Sequence, residues 1–178
     1  RRWKTVAKPL FSLGKLEDAV IRMAGIRREA DFEIKKKGLL IFCADNGVVS
    51  EGVTQTGQEV TAIVADNFTK CATSVCIMAE TAGVDLFPID IGMVTDVPSV
   101  TDPKDKVMYG TKNMAMESAM SREQAAQAVL IGIRKVKELA EQGYDLFATG
   151  EMGIGNTTKI SAVVSVLLDE IVENVTGR

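Results

Sequence analysis

Leu39-Leu40-Ile41-Phe42-Cys43-Ala44-Asp45-Asn46-Gly47 decides the fold class. An apolar run without alternation stops at a turn-forming triplet. A strand wetted on one face alternates with period two, whereas a strand buried on both faces does not. The run therefore predicts a strand inside a parallel sheet that is covered by helices on both sides. Upstream, Leu13, Leu16, Val20 and Met23 repeat at helical spacing, and Gly25 offers a stop. Lys35, Lys36 and Lys37 read as a solvated loop.

Downstream, a polar, Gly-punctuated loop reaches Gly57. Residues 58–82 carry a helical pattern, expected as two helices broken near residues 70–73 and ended by Gly83. Residues 84–90 read as a second strand. Residues 92–113 hold Pro98, Pro103 and Gly110, and predict a long loop of the functional or mobile kind. Ser121 followed by Gln124 is a capping box. Ala125, Val129, Ile133, Val136 and Ala140 then mark the apolar face of a helix that Gly143 ends. Residues 145–149 predict a third strand, residues 150–158 a Gly-rich segment and residues 159–172 an apolar helix. This order predicts an α/β fold: three layers, with a mostly parallel, Rossmann-like sheet flanked by helices. One domain is expected over residues 1–178, incomplete at its C-terminal end and forming the N-terminal portion of a longer protein.

Composition narrows the chemistry. The 178 residues are 46% hydrophobic and 25% charged, with a net charge of −3. That is ordinary globular composition, and it disfavours nucleic acid, whose recognition rests on clustered Lys and Arg. No apolar run approaches the ~20 residues of a membrane span, and no signal pattern opens the chain. The chain has no histidine, which excludes Ser-His-Asp, Cys-His and His-ligated zinc arrangements. Cys43, Cys71 and Cys76 form no C-x-x-C pair and are expected to pack as small apolar side chains, in a reducing cytoplasm. Neither a metal site nor a resident cofactor is expected.

Two segments carry candidate chemistry. In the first, Gly150-Glu151-Met152-Gly153-Ile154-Gly155-Asn156-Thr157-Thr158, a strand end meets a helix start. Backbone N–H groups and hydroxyls there could hold a phosphate, with the helix dipole adding attraction. The segment is neither a Walker A motif nor a G-x-G-x-x-G fingerprint, and a purely structural turn fits it equally. Glu151 beside such a cradle suits hydroxyls, such as those of a ribose. The second segment, Asp45-Asn46-Gly47, also follows a strand, where open α/β sheets bind ligands. Turn chemistry alone accounts for it too. Met114, Met116 and Met120 read as core filling or an oligomer surface.

Taken together, these segments resemble the nicotinate-nucleotide–dimethylbenzimidazole phosphoribosyltransferases of cobamide assembly. The similarity starts at Lys8-Pro9-Leu10-Phe11-Ser12-Leu13-Gly14. It continues through Ala44-Asp45-Asn46-Gly47 and Glu51-Gly52-Val53, then Ala119-Met120-Ser121-Arg122-Glu123-Gln124-Ala125. It ends on the Gly-rich segment and covers the N-terminal half of a family member.

The resemblance implies transfer of phosphoribose from nicotinate mononucleotide to 5,6-dimethylbenzimidazole or a related base, in cobalamin biosynthesis. It implies nucleotide contacts at Glu151, Gly153, Ile154, Gly155, Asn156 and Thr157. It implies a base pocket drawing on Asp45, Asn46, Gly47, Thr56 and Val64. It also implies a homodimer, small-molecule substrates, and a catalytic glutamate and a phosphate-binding basic residue beyond Arg178. No catalytic residue is therefore assigned in this chain, which is expected to turn over little or nothing alone. The family's usual His after the Asp is Asn46 here, and Phe11 stands in place of a Gly. The alternatives are a non-catalytic nucleotide-binding subunit that needs a homologous partner, and a generic flavodoxin-like binding domain.

Overall fold

The computed structural model of the chain describes residues 2–176. They divide into two compact units, one ending at Lys35 and one beginning at Lys36. In the first unit a 3₁₀ turn (Arg2–Thr5) precedes helix α1 (Lys15–Arg27). Gly25 does not stop α1. A glycine inside a helix costs only about 1 kcal/mol, so the helix continues through it. Arg28 ends it instead, with φ 58° and its N–H turned back to the carbonyls of Ala24 and Gly25. The buried Glu17 carboxylate takes the Lys8 ammonium at 2.5 Å.

The second unit holds a three-stranded parallel sheet in the order β2-β1-β3. Its strands are β1 (Lys37–Ala44), β2 (Val84–Gly92) and β3 (Leu146–Met152). The apolar run is the central strand, and Leu40 and Cys43 are fully buried. Leu39, Ile41 and Cys43 face helices α2 (Glu59–Thr69) and α3 (Ser74–Ala82), packing with Ala65, Phe68 and Cys76. Leu40 and Phe42 face the other way, with Ile89 of β2 and against Leu139 of helix α4 (Arg122–Glu141). Both faces of β1 are thus covered, which is why its sequence does not alternate.

Several local expectations shift. Lys37 already belongs to β1, and its ammonium caps the C-terminal carbonyl of Ala82 in α3, so the lysine run is only partly a solvated loop. The capping box of Ser121 and Gln124 forms in full. The Val129, Ile133 and Val136 stripe of α4 is exposed, however, at 64%, 47% and 36%. α4 buries a different stripe, Ile131 and Leu139, of which Leu139 packs on the sheet. Cys43 and Cys76 are buried as expected, whereas Cys71 is exposed in the joint between α2 and α3. Met116 is exposed as well, so the methionine cluster is not core. Helix α5 (Asn156–Leu168) begins three residues earlier than the apolar pattern indicates, directly after the Gly-rich turn. Asp169, at φ 53°, separates it from the short α6 (Val172–Val175).

The long loop after β2 is tied down by buried charge. Asp90, fully buried, accepts the Gly92 and Met93 N–H groups on one oxygen. The other oxygen takes the Thr101 hydroxyl at 2.6 Å and the Lys106 ammonium at 3.0 Å. Asp105, also buried, receives Lys135 at 2.6 Å and Arg134, both from α4. Replacing one member of a buried pair strands the other. Asp90→Ala leaves Lys106 with Asp96 alone and strands the Gly92 and Met93 N–H groups, and should lower the unfolding free energy by about 1–3 kcal/mol in urea titration. A loss below about 1 kcal/mol would mean that water reaches Lys106 and the two N–H groups.

Candidate functional site

The strand order places the site. β1 connects through α2 and α3 to β2 on one side, and β2 then connects through α4 to β3 on the other. The chain changes direction between β1 and β3, and such a switch point opens a crevice at the strands' C-terminal ends. The residues after β1 and those after β3 are the two segments that carried candidate chemistry.

They are bound tightly to one another. The Asn46 side-chain amide donates to the Ile154 carbonyl at 2.9 Å. The Ile154 N–H donates to the Thr61 hydroxyl of α2 at 3.2 Å, and Thr61 is fully buried. One residue of the β3–α5 turn is therefore held on both sides of its backbone. A Cβ on Gly153 would lie 2.2 Å from the Ala44 carbonyl oxygen. Gly155 sits at φ 83°, and a Cβ there would lie 2.9 Å from Val49. These glycines are required because the turn abuts the exit of β1. Their smallness serves that contact first, rather than the approach of a ligand.

Asp45 is 1% exposed. Its Oδ2 accepts the Val94 N–H at 2.8 Å and its carbonyl accepts the Thr111 N–H at 3.0 Å, while Oδ1 has no partner among the described residues. The Asn46 carbonyl takes the Gln58 amide at 2.9 Å. The Gly47 N–H donates to the Thr111 hydroxyl at 3.2 Å, and the Lys159 ammonium of α5 donates to the same oxygen at 3.1 Å. Beneath the crevice, burial first and the Asp90 carboxylate second push the Cys43 thiol up to about 12, so this sulfur is a neutral thiol and not a nucleophile.

Of the residues expected at a site, the fold brings Asp45, Asn46, Gly47, Gly153, Ile154 and Gly155 into one contact cluster. Asn156 and Thr157 open α5 beside it, and the Asn156 side chain accepts the Thr157 N–H at 2.6 Å. Glu151 is exposed near the end of β3, opposite Phe42 in the register. Thr56 is exposed in the loop before α2, where its carbonyl takes the Thr54 hydroxyl at 2.8 Å. Val64 packs against the core cluster on the α2 side. Thr111 and Lys159 are neighbours of this cluster that sequence reasoning missed, whereas Gln58 and Thr61 lie within the segment from Thr56 to Val64 on which the base pocket was expected to draw. Thr111 lies in the long loop that was expected to matter, and Lys159 directly follows the Gly-rich segment. A 380 Å³ cavity lined by Phe87, Pro88 and Lys135 among others shares no residue with this crevice.

Comparison with known proteins identifies the family. A protein-family profile described as Phosphoribosyltransferase matches residues 1–178. The chain belongs to this phosphoribosyltransferase family. Relatives named nicotinate-nucleotide–dimethylbenzimidazole phosphoribosyltransferase include one from Acetivibrio thermocellus, 45% identical over the whole of this chain and 51% of its own length. Another, from Clostridium tetani, is 42% identical over 99% of this chain and 49% of its own. The crystal structure of CobT from Thermus thermophilus superposes with a TM-score of 0.92 at 34% identity, covering 99% of this chain and 54% of that one. The chain spans about half the length of the curated relatives it matches. The α/β fold of this phosphoribosyltransferase segment is thus the fold of those relatives over the same span.

The clamp on Ile154 yields a test. Asn46→Ala removes a donor to a part-buried carbonyl, and should cost about 1–3 kcal/mol of stability. Gly153→Ala overpacks the turn by a methyl group and should cost at least as much, about 1–3 kcal/mol or more. Urea unfolding of the two variants checks both. If Gly153→Ala is neutral, the strand exit and the turn are not in contact.

Proposed function

We propose that the full-length protein transfers phosphoribose from nicotinate mononucleotide to 5,6-dimethylbenzimidazole or a related base. The match of the whole of this chain to about half the length of relatives named for this reaction carries the reading. The switch-point crevice, with the start of α5 opening beside the clamped turn, supports it physically. Anions are favoured at a helix N-terminus by unpaired N–H groups and the dipole.

In the reaction, the bond from ribose C1′ to the pyridine nitrogen breaks, and its electron pair returns to that ring. The ring was cationic in the nucleotide, so nicotinate leaves with a neutral ring. A benzimidazole nitrogen forms the new bond to C1′, and the azole proton passes to a base. The products are nicotinate and α-ribazole 5′-phosphate. No pyrophosphate leaves, so no divalent ion is needed to neutralise one. The protein's work is to hold donor and acceptor in line and to remove one proton.

In this reading Gly153, Ile154, Gly155, Asn156 and Thr157 supply the nucleotide side, with Glu151 near the ribose or the base. Asp45, Asn46, Gly47, Thr56 and Val64 lie toward the base side. The proton acceptor is the glutamate that the family resemblance places in the half of the relatives this chain does not span. The enzyme works in the cytoplasm as a homodimer, for which the exposed α4 stripe offers an apolar surface. No helix among the described residues is long and apolar enough to cross a membrane.

The test is a chromatographic assay of the full-length protein with nicotinate mononucleotide and dimethylbenzimidazole. Stoichiometric α-ribazole phosphate and nicotinate are expected, while the 178-residue segment alone gives little or no product. Absence of product from a full-length protein that still binds the mononucleotide would replace the transferase with a nucleotide-binding subunit.

A further inference from the structure

Cys71 and Cys76 bracket the joint between α2 and α3. The joint is tightly wound. The Asn67 carbonyl accepts the N–H groups of both Lys70 and Ala72, at 3.2 and 3.0 Å. Cys71, between them, takes φ 52°, where residues other than glycine are uncommon. This turn folds the start of α3 back onto the end of α2. Cys76, the third residue of α3, is 2% exposed. Its thiol donates to the Phe68 carbonyl of α2 at 3.5 Å. Its sulfur also accepts the hydroxyl of Thr73, the N-cap of α3, at 3.0 Å. The Cys76 sulfur is thereby fixed against the last turn of α2, from which Cys71 leaves. The two thiols hydrogen-bond one another there, one exposed and one buried.

Little stands between this pair and a covalent bond. Only Ala72, Thr73, Ser74 and Val75 separate the two cysteines, and the folded joint already holds them together. Closing the loop therefore orders little further chain. Closure gives up the Cys76 thiol's bond to Phe68. The cap of α3 survives it, because the Thr73 hydroxyl also accepts the Cys76 N–H, at 3.4 Å.

We propose that Cys71 and Cys76 form a peroxide-sensitive dithiol that closes to a disulfide across the α2–α3 joint. None of this rests on the transferase reading. The exposed Cys71 sulfur attacks hydrogen peroxide as its thiolate. The O–O bond breaks, Cys71 becomes a sulfenic acid and one water leaves. The Cys76 sulfur then attacks that of Cys71, the S–O bond breaks, and a second water carries off the Cys76 proton. Two thiols and one peroxide give one disulfide and two waters, with the sulfurs oxidised and the peroxide oxygens reduced. In a reducing compartment such a bond is transient and belongs to sensing rather than scaffolding. It ties α2, whose Thr61 holds the β3–α5 turn, covalently to α3. The charge of Cys76 beside it, then desolvation, then the shared hydrogen bond hold the Cys71 thiol above its ordinary value. The thiol form prevails at neutral pH, so closure is slow there and speeds up as the pH rises.

The test exposes the full-length protein, Cys71→Ser and Cys76→Ala to hydrogen peroxide. Remaining thiols are then alkylated under denaturing conditions and the peptides are weighed by mass spectrometry. In the wild type, the peptide that carries both cysteines should lose two hydrogens and take no alkyl group. Dithiothreitol should restore both alkylation sites. The rate of closure should rise about tenfold per pH unit around neutrality, following the thiolate fraction. Cys43, whose thiol is fully buried, should stay alkylatable throughout. In Cys71→Ser the buried Cys76 should stay free, and in Cys76→Ala the unresolved Cys71 should run on to the sulfinic acid. Two free thiols in the peroxide-treated wild type would overturn the proposal. So would a sulfinic acid at Cys71 beside a free Cys76, or a disulfide that joins two chains.

Discussion

The contact on which the second unit depends is the one between the end of β1 and the turn after β3. A parallel sheet gives its strands a common direction, but it does not fix how their exits meet. Here the Ala44 carbonyl lies where a Gly153 side chain would be, and Asn46 and Thr61 hold the two polar groups of Ile154. Three elements, β1, α2 and the β3–α5 turn, are locked at one residue. The direction in which α5 starts follows from that lock. So does the placing of the long loop, because Thr111 closes on Asp45 and Gly47 from the opposite side.

Charge is distributed unevenly around this lock. On the β2 side, carboxylates and ammonium groups are buried in matched sets: Asp90 with Lys106, and Asp105 with Lys135 and Arg134. Such sets hold a loop in place, and breaking one costs more than making it gains. Among the described residues, one Asp45 carboxylate oxygen has no partner and Lys159 meets no carboxylate. The set around Asp105 is not fully satisfied either, since Arg134 Nε has no hydrogen-bond partner among the described residues.

The layers of this fold were legible because β1 is apolar without alternation and the capping residues lie at their proper spacing. Gly83 and Ser121 delimit their helices as their chemistry requires. What could not be read was any property that depends on two distant segments touching. Val129, Ile133 and Val136 have helical spacing, but only the position of the sheet decides that Ile131 and Leu139 are the buried pair. Gly25 looks like a stop until Arg28 takes the left-handed conformation in its place. At the site, Asp45–Gly47 and the Gly-rich turn are visible as Asp/Asn/Gly clusters after strands. Thr111 and Lys159 sit in unremarkable sequence, and their contacts exist only once the strand order brings the segments together.

Asn46 shows how geometry changes the weight of a sequence difference. The related family usually carries His at this position, and a residue there could be taken as a reader of the acceptor base. In the folded chain Asn46 is 5% exposed, and its amide is spent on the Ile154 carbonyl. A neutral imidazole also has one N–H, and it can donate the same bond. Asn and His therefore satisfy one constraint by two chemistries, and the exchange leaves the turn in place. Thr56, before α2, is exposed where Asn46 is buried. The residue most noticeable in the sequence is thus a latch on the turn.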